Sequence, residues 1–146
     1  FHSRFDAKER KYLYCIVNRN SPLSIEKGRA WLVMKNLNLE KMQACAPIIE
    51  GKHDFTTFRS VNCQSKSPIK TLNSCKITQQ DDNIYFGFVA PSFLQHQIRS
   101  LVGTIKMVGE GLWDIERLQQ ALDAKDRSKC GALAPADGLY FMEVKY

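Results

Sequence analysis

An α+β fold with a largely antiparallel sheet is predicted from three features of the sequence. Residues 8–18 alternate at period two with apolar or aromatic groups on both faces. A polar turn at 79–83 joins two β-rich runs in the middle of the chain. Two later stretches, 92–109 and 115–122, carry apolar residues at helical spacing instead.

Along the chain, Arg10, Tyr12, Tyr14 and Ile16 share one face of the first strand, and Lys11, Leu13, Cys15 and Val17 the other. Apolar character on both sides argues for a central strand. Asn20-Ser21-Pro22 ends it, and Ala30 to Val33 reads as a second short strand. Leu39, Met42, Cys45, Ala46 and Ile49 fall on one helical face over 39–50. Asn38 suits the N-cap, Gly51 suits the residue just past the end, and Pro47 should kink the helix.

Lys70–Thr78 and Ile84–Ala90 read as a hairpin closed by Gln79-Gln80-Asp81-Asp82-Asn83. Ile84, Phe86, Phe88 and Ala90 line one face of its second strand and Tyr85 and Val89 the other, so that strand should be largely buried. The strongest helical pattern lies at 92–109, where Leu94, Ile98, Leu101, Val102, Ile105 and Val108 make a continuous stripe and Pro91-Ser92 suits the start. Asp114 should cap a helix from Ile115 to Leu122 that packs through Ile115, Leu118 and Leu122. Leu139–Tyr146 alternates again and closes the domain as a strand.

The chain has 146 residues, one domain of ordinary size. Its 44% apolar and 25% charged residues fit a globular protein with a real core. No apolar stretch approaches the roughly 18–20 residues of a membrane span. The chain starts Phe1-His2-Ser3-Arg4, with neither Met nor an apolar leader, so it is expected to be part of a longer protein. Lys and Arg outnumber Asp and Glu by 21 to 15, a charge of +6 that is compatible with a polyanionic partner. Cys15, Cys45, Cys63, Cys75 and Cys130 include no Cys-x-x-Cys pair, so reduced thiols in a cytosolic protein are expected.

Several chemistries lack their motif. The surroundings of Gly109 and Gly111 match no phosphate loop, and there is no Gly-x-Ser-x-Gly elbow. His2, His53 and His96 are too scattered for a metal site. Cys63 with His53 and Asp54 would be a thiol nucleophile without visible activation, and His53-Asp54 is read instead as satisfying the helix exit. What stands out is polar residues in apolar settings: Arg99 in the most apolar helix, Tyr12 between basic residues, and Arg4 between Phe1 and Phe5. A half-buried arginine needs an anionic partner. Periodicity by itself favours the other reading, that Arg99 faces solvent.

At these residues the sequence resembles the TruA family of tRNA pseudouridine synthases. Phe-His-Ser-Arg-Phe at 1–5 with Ala7 and Arg10-Lys11-Tyr12-Leu13-Tyr14 is similar to one of its blocks, and Gly51-Lys52-His53-Asp54-Phe55-Thr56-Thr57-Phe58-Arg59 to another. Ser92 to Gly103, reading Ser-Phe-Leu-Gln-His-Gln-Ile-Arg-Ser-Leu-Val-Gly, resembles the family's active-site helix. Ala124-Lys125-Asp126-Arg127 and Ala134-Pro135-Ala136-Asp137-Gly138-Leu139-Tyr140 match two closing motifs. These blocks keep the family's order and cover nearly the whole chain.

The resemblance implies a C-terminal half, residues 1–146, of a cytoplasmic, homodimeric enzyme. That enzyme turns uridine into pseudouridine at positions 38–40 of the tRNA anticodon arm without cofactor or metal. It implies that Tyr12 stacks on the target base and helps in proton transfer, and that Arg99 pairs with the catalytic aspartate. Leu101 and Val102 would wall the pocket, and His96 would contact RNA. Arg4, Arg10 and Lys11 are candidates for phosphate contacts, on charge alone. Two departures matter. The family's Gly-Arg-Thr-Asp-Ala-Gly loop is missing, and none of Asp54, Asp126 and Asp137 replaces its aspartate by motif. Gln95-His96 stands where the family has a His-His pair. The fragment alone should therefore be inactive. The alternatives are a stand-alone RNA-binding domain without catalysis and a purely structural or dimerisation module.

Overall fold

The computed structural model describes residues 8–23, 27–61 and 67–146. Its main sheet is built on β1 (Glu9–Asn18). Along one edge β1 pairs antiparallel with β6 (Asn83–Ala90), which pairs in turn with β5 (Ser74–Gln80). Its other edge is shared: β7 (Leu139–Lys145) lies antiparallel along Glu9–Tyr14, and the short β2 (Trp31–Val33) runs parallel along Ile16–Asn18. The sheet thus has five strands, one pairing of which is parallel. The α+β class and the central position of the first strand are as expected.

Burial is more complete on one face of this sheet than on the other. Along β6 the burial alternates, with Ile84, Phe86, Phe88 and Ala90 inside and Tyr85 and Val89 half-buried. On β1, Tyr14 and Ile16 are fully buried, while on the opposite face Leu13 and Cys15 are half-buried and only Val17 is fully buried. The inner face packs with the helices in one core that contains Met42, Phe55, Phe58, Leu101, Ile105 and Leu118. Each such side chain stabilises the fold by roughly 1.5–3 kcal/mol.

The stretch 39–50 is not one kinked helix but two short ones, α1 (Leu39–Gln43) and α2 (Ala46–Ile49). Pro47 sits in the first turn of α2, where its missing N–H has no helical acceptor to lose. Asn38 caps α1 through its side chain, which accepts from Lys41 N. Gly51 takes φ +96° just past α2, as its place in the sequence suggested. The chain then enters β3 (Gly51–Asp54), a strand not foreseen, which pairs with β4 (Ile69–Leu72) in a separate ribbon. The predicted strand 70–78 is therefore broken at Asn73 between β4 and β5. The hairpin turn narrows to Asp81-Asp82, with Asp81 left-handed at φ 55°.

The long helix α3 runs Gln97–Glu110 and begins later than Pro91-Ser92 suggested. Its stripe is buried as predicted, with Leu94 held on the preceding turn. Asp114 caps α4 (Ile115–Ala124) by accepting from Arg117 N at 2.8 Å. The helix packs through Leu118, Ala121 and Leu122, whereas Ile115 is 39% exposed because the first turn projects beyond the core. Among the described residues no helix is long and apolar enough to cross a membrane.

Candidate active site

A cavity of about 350 Å³ opens where the first half of β1 meets the turn that enters α3. Tyr12, Phe93, His96, Arg99, Ala136 and Leu139 are among its lining residues. Tyr12 comes from the inner face of β1, in register with Phe88 and Phe141. The pairing with β7 slips by one residue between Lys11 and Tyr12, leaving Met142 as a bulge beside the site. The Tyr12 ring meets Phe93 edge-on at 5.3 Å and Phe141 at 5.2 Å. Its hydroxyl has no hydrogen-bond partner among the described residues. The ring is therefore fixed in place while its polar end stays available.

Arg99 is half-buried, one residue off the apolar stripe. Its Nε donates to Ala134 O at 2.7 Å, and Ala134 N donates back to Arg99 O at 3.0 Å. That reciprocal clasp needs the chain at 132–134 to lie directly on α3. Gly103 permits it, since a Cβ there would run into the Ala132 carbonyl. The cavity thus receives a guanidinium whose stem is locked to backbone. Among the described residues its lining contains no Asp or Glu, and no carboxylate is ion-paired to Arg99.

His96 precedes α3 with φ 66°, left-handed for a residue with a Cβ, which costs roughly 1–2 kcal/mol. Neighbouring bonds hold it there: Leu94 N to Gln97 Oε1 at 2.9 Å, Gln97 N to Leu94 O at 3.1 Å and Ser60 N to Gln95 O at 2.9 Å. Burial lowers the imidazole's pKa below the ordinary value, and the positive charges of Arg99 and Arg127 lower it further.

Of the residues expected at the site, Tyr12, His96 and Arg99 come together here. Leu101 and Val102 do not wall the cavity. They are fully buried on the core side of α3, since a helix carries residues two and three beyond Arg99 round to its apolar stripe. Lys11 points from the opposite face of β1, because side chains alternate along a strand. Arg10 shares the face of Tyr12 but donates from Nη1 to Pro91 O at 2.6 Å, so it anchors the loop into the site. Arg4 lies outside the described residues.

Two of the acids weighed as substitutes, Asp54 and Asp126, are engaged away from the cavity, while Asp137 follows the lining residue Ala136 without lining the cavity itself. Asp54 takes bonds from Thr56 N at 2.9 Å and Thr56 Oγ1 at 2.6 Å, and Asp126 from Ser128 N and Oγ. His53 stands on β3 beside another cavity, and its Nε2 lies 2.8 Å from the carbonyl of Glu50, the residue that ends α2, so it serves the helix exit as expected. Cys45 and Cys75 are buried thiols pushed up to about 12 by burial, Cys75 also by Glu50 and Cys45. Neither is an activated nucleophile, and Cys63 lies outside the described residues. The sequence reading missed Phe93, Phe141 and the Ala134 backbone. Phe93 and Ala134 sit inside blocks already singled out; Phe141 could have been found from its strand position opposite Tyr12.

A half-buried arginine and a tyrosine flanked by aromatic rings thus line one cavity of a mixed α/β scaffold, with no Asp or Glu among its described lining residues. The family model described as tRNA pseudouridine synthase matches residues 46–146. Proteins named tRNA pseudouridine synthase A are similar throughout: 50% identity in Parvibaculum lavamentivorans, 49% in Caulobacter vibrioides and 51% in Sinorhizobium medicae. Each match covers 100% of this chain and 59% of the relative. The chain belongs to the tRNA pseudouridine synthase family. It spans rather more than half the length of these relatives, so the expectation of a C-terminal half gives way to the coarser statement that it is a part of such a protein.

Proposed function

We propose that this chain is the part of a tRNA pseudouridine synthase that supplies the tyrosine and the arginine of the active site. The substrate is tRNA, and the reaction is conversion of uridine to pseudouridine at positions 38–40 of the anticodon arm. The nucleophilic aspartate comes from outside residues 1–146, and the complete enzyme acts in the cytoplasm as a homodimer. The observation that carries this reading is Arg99, half-buried, clasped to Ala134 and lining a cavity beside Tyr12 that has no Asp or Glu among its described lining residues.

The division of labour is physical. The reaction breaks the N1–C1′ bond of a uridine and rejoins the base through C5, so the base must first leave its stack. Stacking on Tyr12 offsets roughly 1–3 kcal/mol of that step. A carboxylate brought to Arg99 loses part of its proton affinity and stays ionised for attack. The phenol of Tyr12, with no partner among the described residues, is placed to pass a proton as the C5 hydrogen departs.

A lining with no Asp or Glu among the described residues also fits the second reading, an RNA-binding domain without catalysis. The two separate in one assay: the complete protein with tRNA carrying uridine at 38–40, analysed for pseudouridine. Formation at those positions supports the synthase. Salt-dependent tRNA binding with no pseudouridine leaves the binding domain.

A further inference from the structure

We propose that Arg127, together with His96, forms an anion seat at the rim of the cavity that takes a backbone phosphate flanking the displaced uridine. The proposal rests on the reading of this cavity as a uridine site. Arg127 opens a one-turn 3₁₀ helix, Arg127–Lys129. The adjacent Asp126 does not neutralise it, since that carboxylate is used on Ser128 N and Oγ at 2.9 and 2.8 Å. Arg127 Nη1 instead donates to two neutral oxygens, Ser100 Oγ at 2.7 Å and Thr57 O at 3.4 Å. Ser100 and Thr57 are both fully buried, so the guanidinium is fixed before any ligand arrives.

Its placement ties it to the cavity. Ser100 follows Arg99 on α3, and Ser100 N donates to His96 O one turn back at 2.9 Å. Arg127 and Arg99 together act on the His96 imidazole as two nearby positive charges. Neither arginine is ion-paired among the described residues. A single incoming aspartate neutralises one of them, the one in the cavity. The other remains a half-buried cation, a costly arrangement unless an anion comes with the substrate. A uridine drawn into the cavity carries its own phosphates to the rim. The remaining guanidinium N–H groups suit phosphate oxygens, and a neutral imidazole gives a further N–H. The bland reading is that Arg127 only pins two turns to α3, and the test separates the two.

Tests use the complete enzyme. With Arg127→Gln, the dissociation constant for tRNA should rise about tenfold. The slope of log K against log salt should shrink by about 0.7–0.9, one phosphate's worth. KM should rise more than kcat falls, and Arg127→Lys should restore the slope with only part of the affinity. Wild-type enzyme with tRNA carrying a neutral methylphosphonate beside the target uridine reads the same contact from the RNA side, whether or not the glutamine variant folds. The same loss of slope is expected there. An unchanged slope in that substrate series at both flanking phosphates would overturn the seat, as would a lowered Tm with unchanged slope in the variant. If the wild type makes no pseudouridine on any tRNA, the synthase reading fails instead; normal turnover with unaltered slopes sinks only the seat.

Discussion

Tyr12 and Tyr14 stand two residues apart on one face of one strand and are treated in opposite ways. Tyr14 is fully buried, its hydroxyl donates to Pro135 O, and burial pushes its pKa well above the ordinary phenol value. It is a structural bolt between β1 and the closing segment. Tyr12 is half-buried, its ring held by Phe93 and Phe141 and its hydroxyl unclaimed among the described residues. The inner face of β1 thus changes from core to site within a single period. At one strand position the hydroxyl is used by the fold, and two residues earlier it is left without a partner among the described residues.

Conservative changes sharpen that contrast, and the largest effect should come from Tyr12→Phe. Losing the hydroxyl while keeping the stack should lower turnover by about 10²-fold, the lower range for a positioned proton-transfer group. Stability should stay within about 0.5 kcal/mol. Single-turnover kinetics and a thermal melt of the complete enzyme check both; full activity would demote Tyr12 to a stacking platform. Gly103→Ala comes next. A methyl group against the Ala132 carbonyl should destabilise by about 1–3 kcal/mol and slow turnover, because it displaces the backbone that clasps Arg99. A melt unchanged from wild type would show that the clasp tolerates displacement.

Tyr14→Phe should do the reverse of Tyr12→Phe. It strands the Pro135 carbonyl and should cost about 1–2 kcal/mol, while the folded enzyme keeps its turnover. Equal turnover losses in the two tyrosine variants would erase the contrast. The smallest effect concerns His96. Its imidazole prefers to be neutral in the folded chain, so its contribution to stability is complete above the ordinary value of 6.5 and is lost as pH falls from there toward the lower folded value. A proton NMR titration should place the midpoint below 6.5, and Arg127→Gln should raise it by removing a nearby positive charge.

Much of this was legible in the residues. The period-two run at 8–18, the Asn38 and Asp114 caps and the α3 stripe follow from local chemistry, and each is present. Tyr12 and Arg99 stood out because they break the pattern around them. What stayed hidden depends on contacts between distant segments. The split of 39–50 turns on Pro47 finding a first-turn position, and the β3–β4 ribbon on pairing across the intervening chain. The motif alone places Leu101 and Val102 at the pocket, whereas helical phase puts them in the core. The role of Gly103 appears only once Ala132 lies on it.

The central claim is that Arg99 exists to hold a carboxylate that this chain does not contain. The direct measurement is pseudouridine formation by the complete enzyme with Arg99→Ala, alongside its tRNA affinity. The account predicts turnover lowered by about 10²–10³-fold or more, with affinity within a few fold of wild type. Turnover close to wild type would contradict it, and would leave Arg99 as a solvent-facing residue held by Ala134.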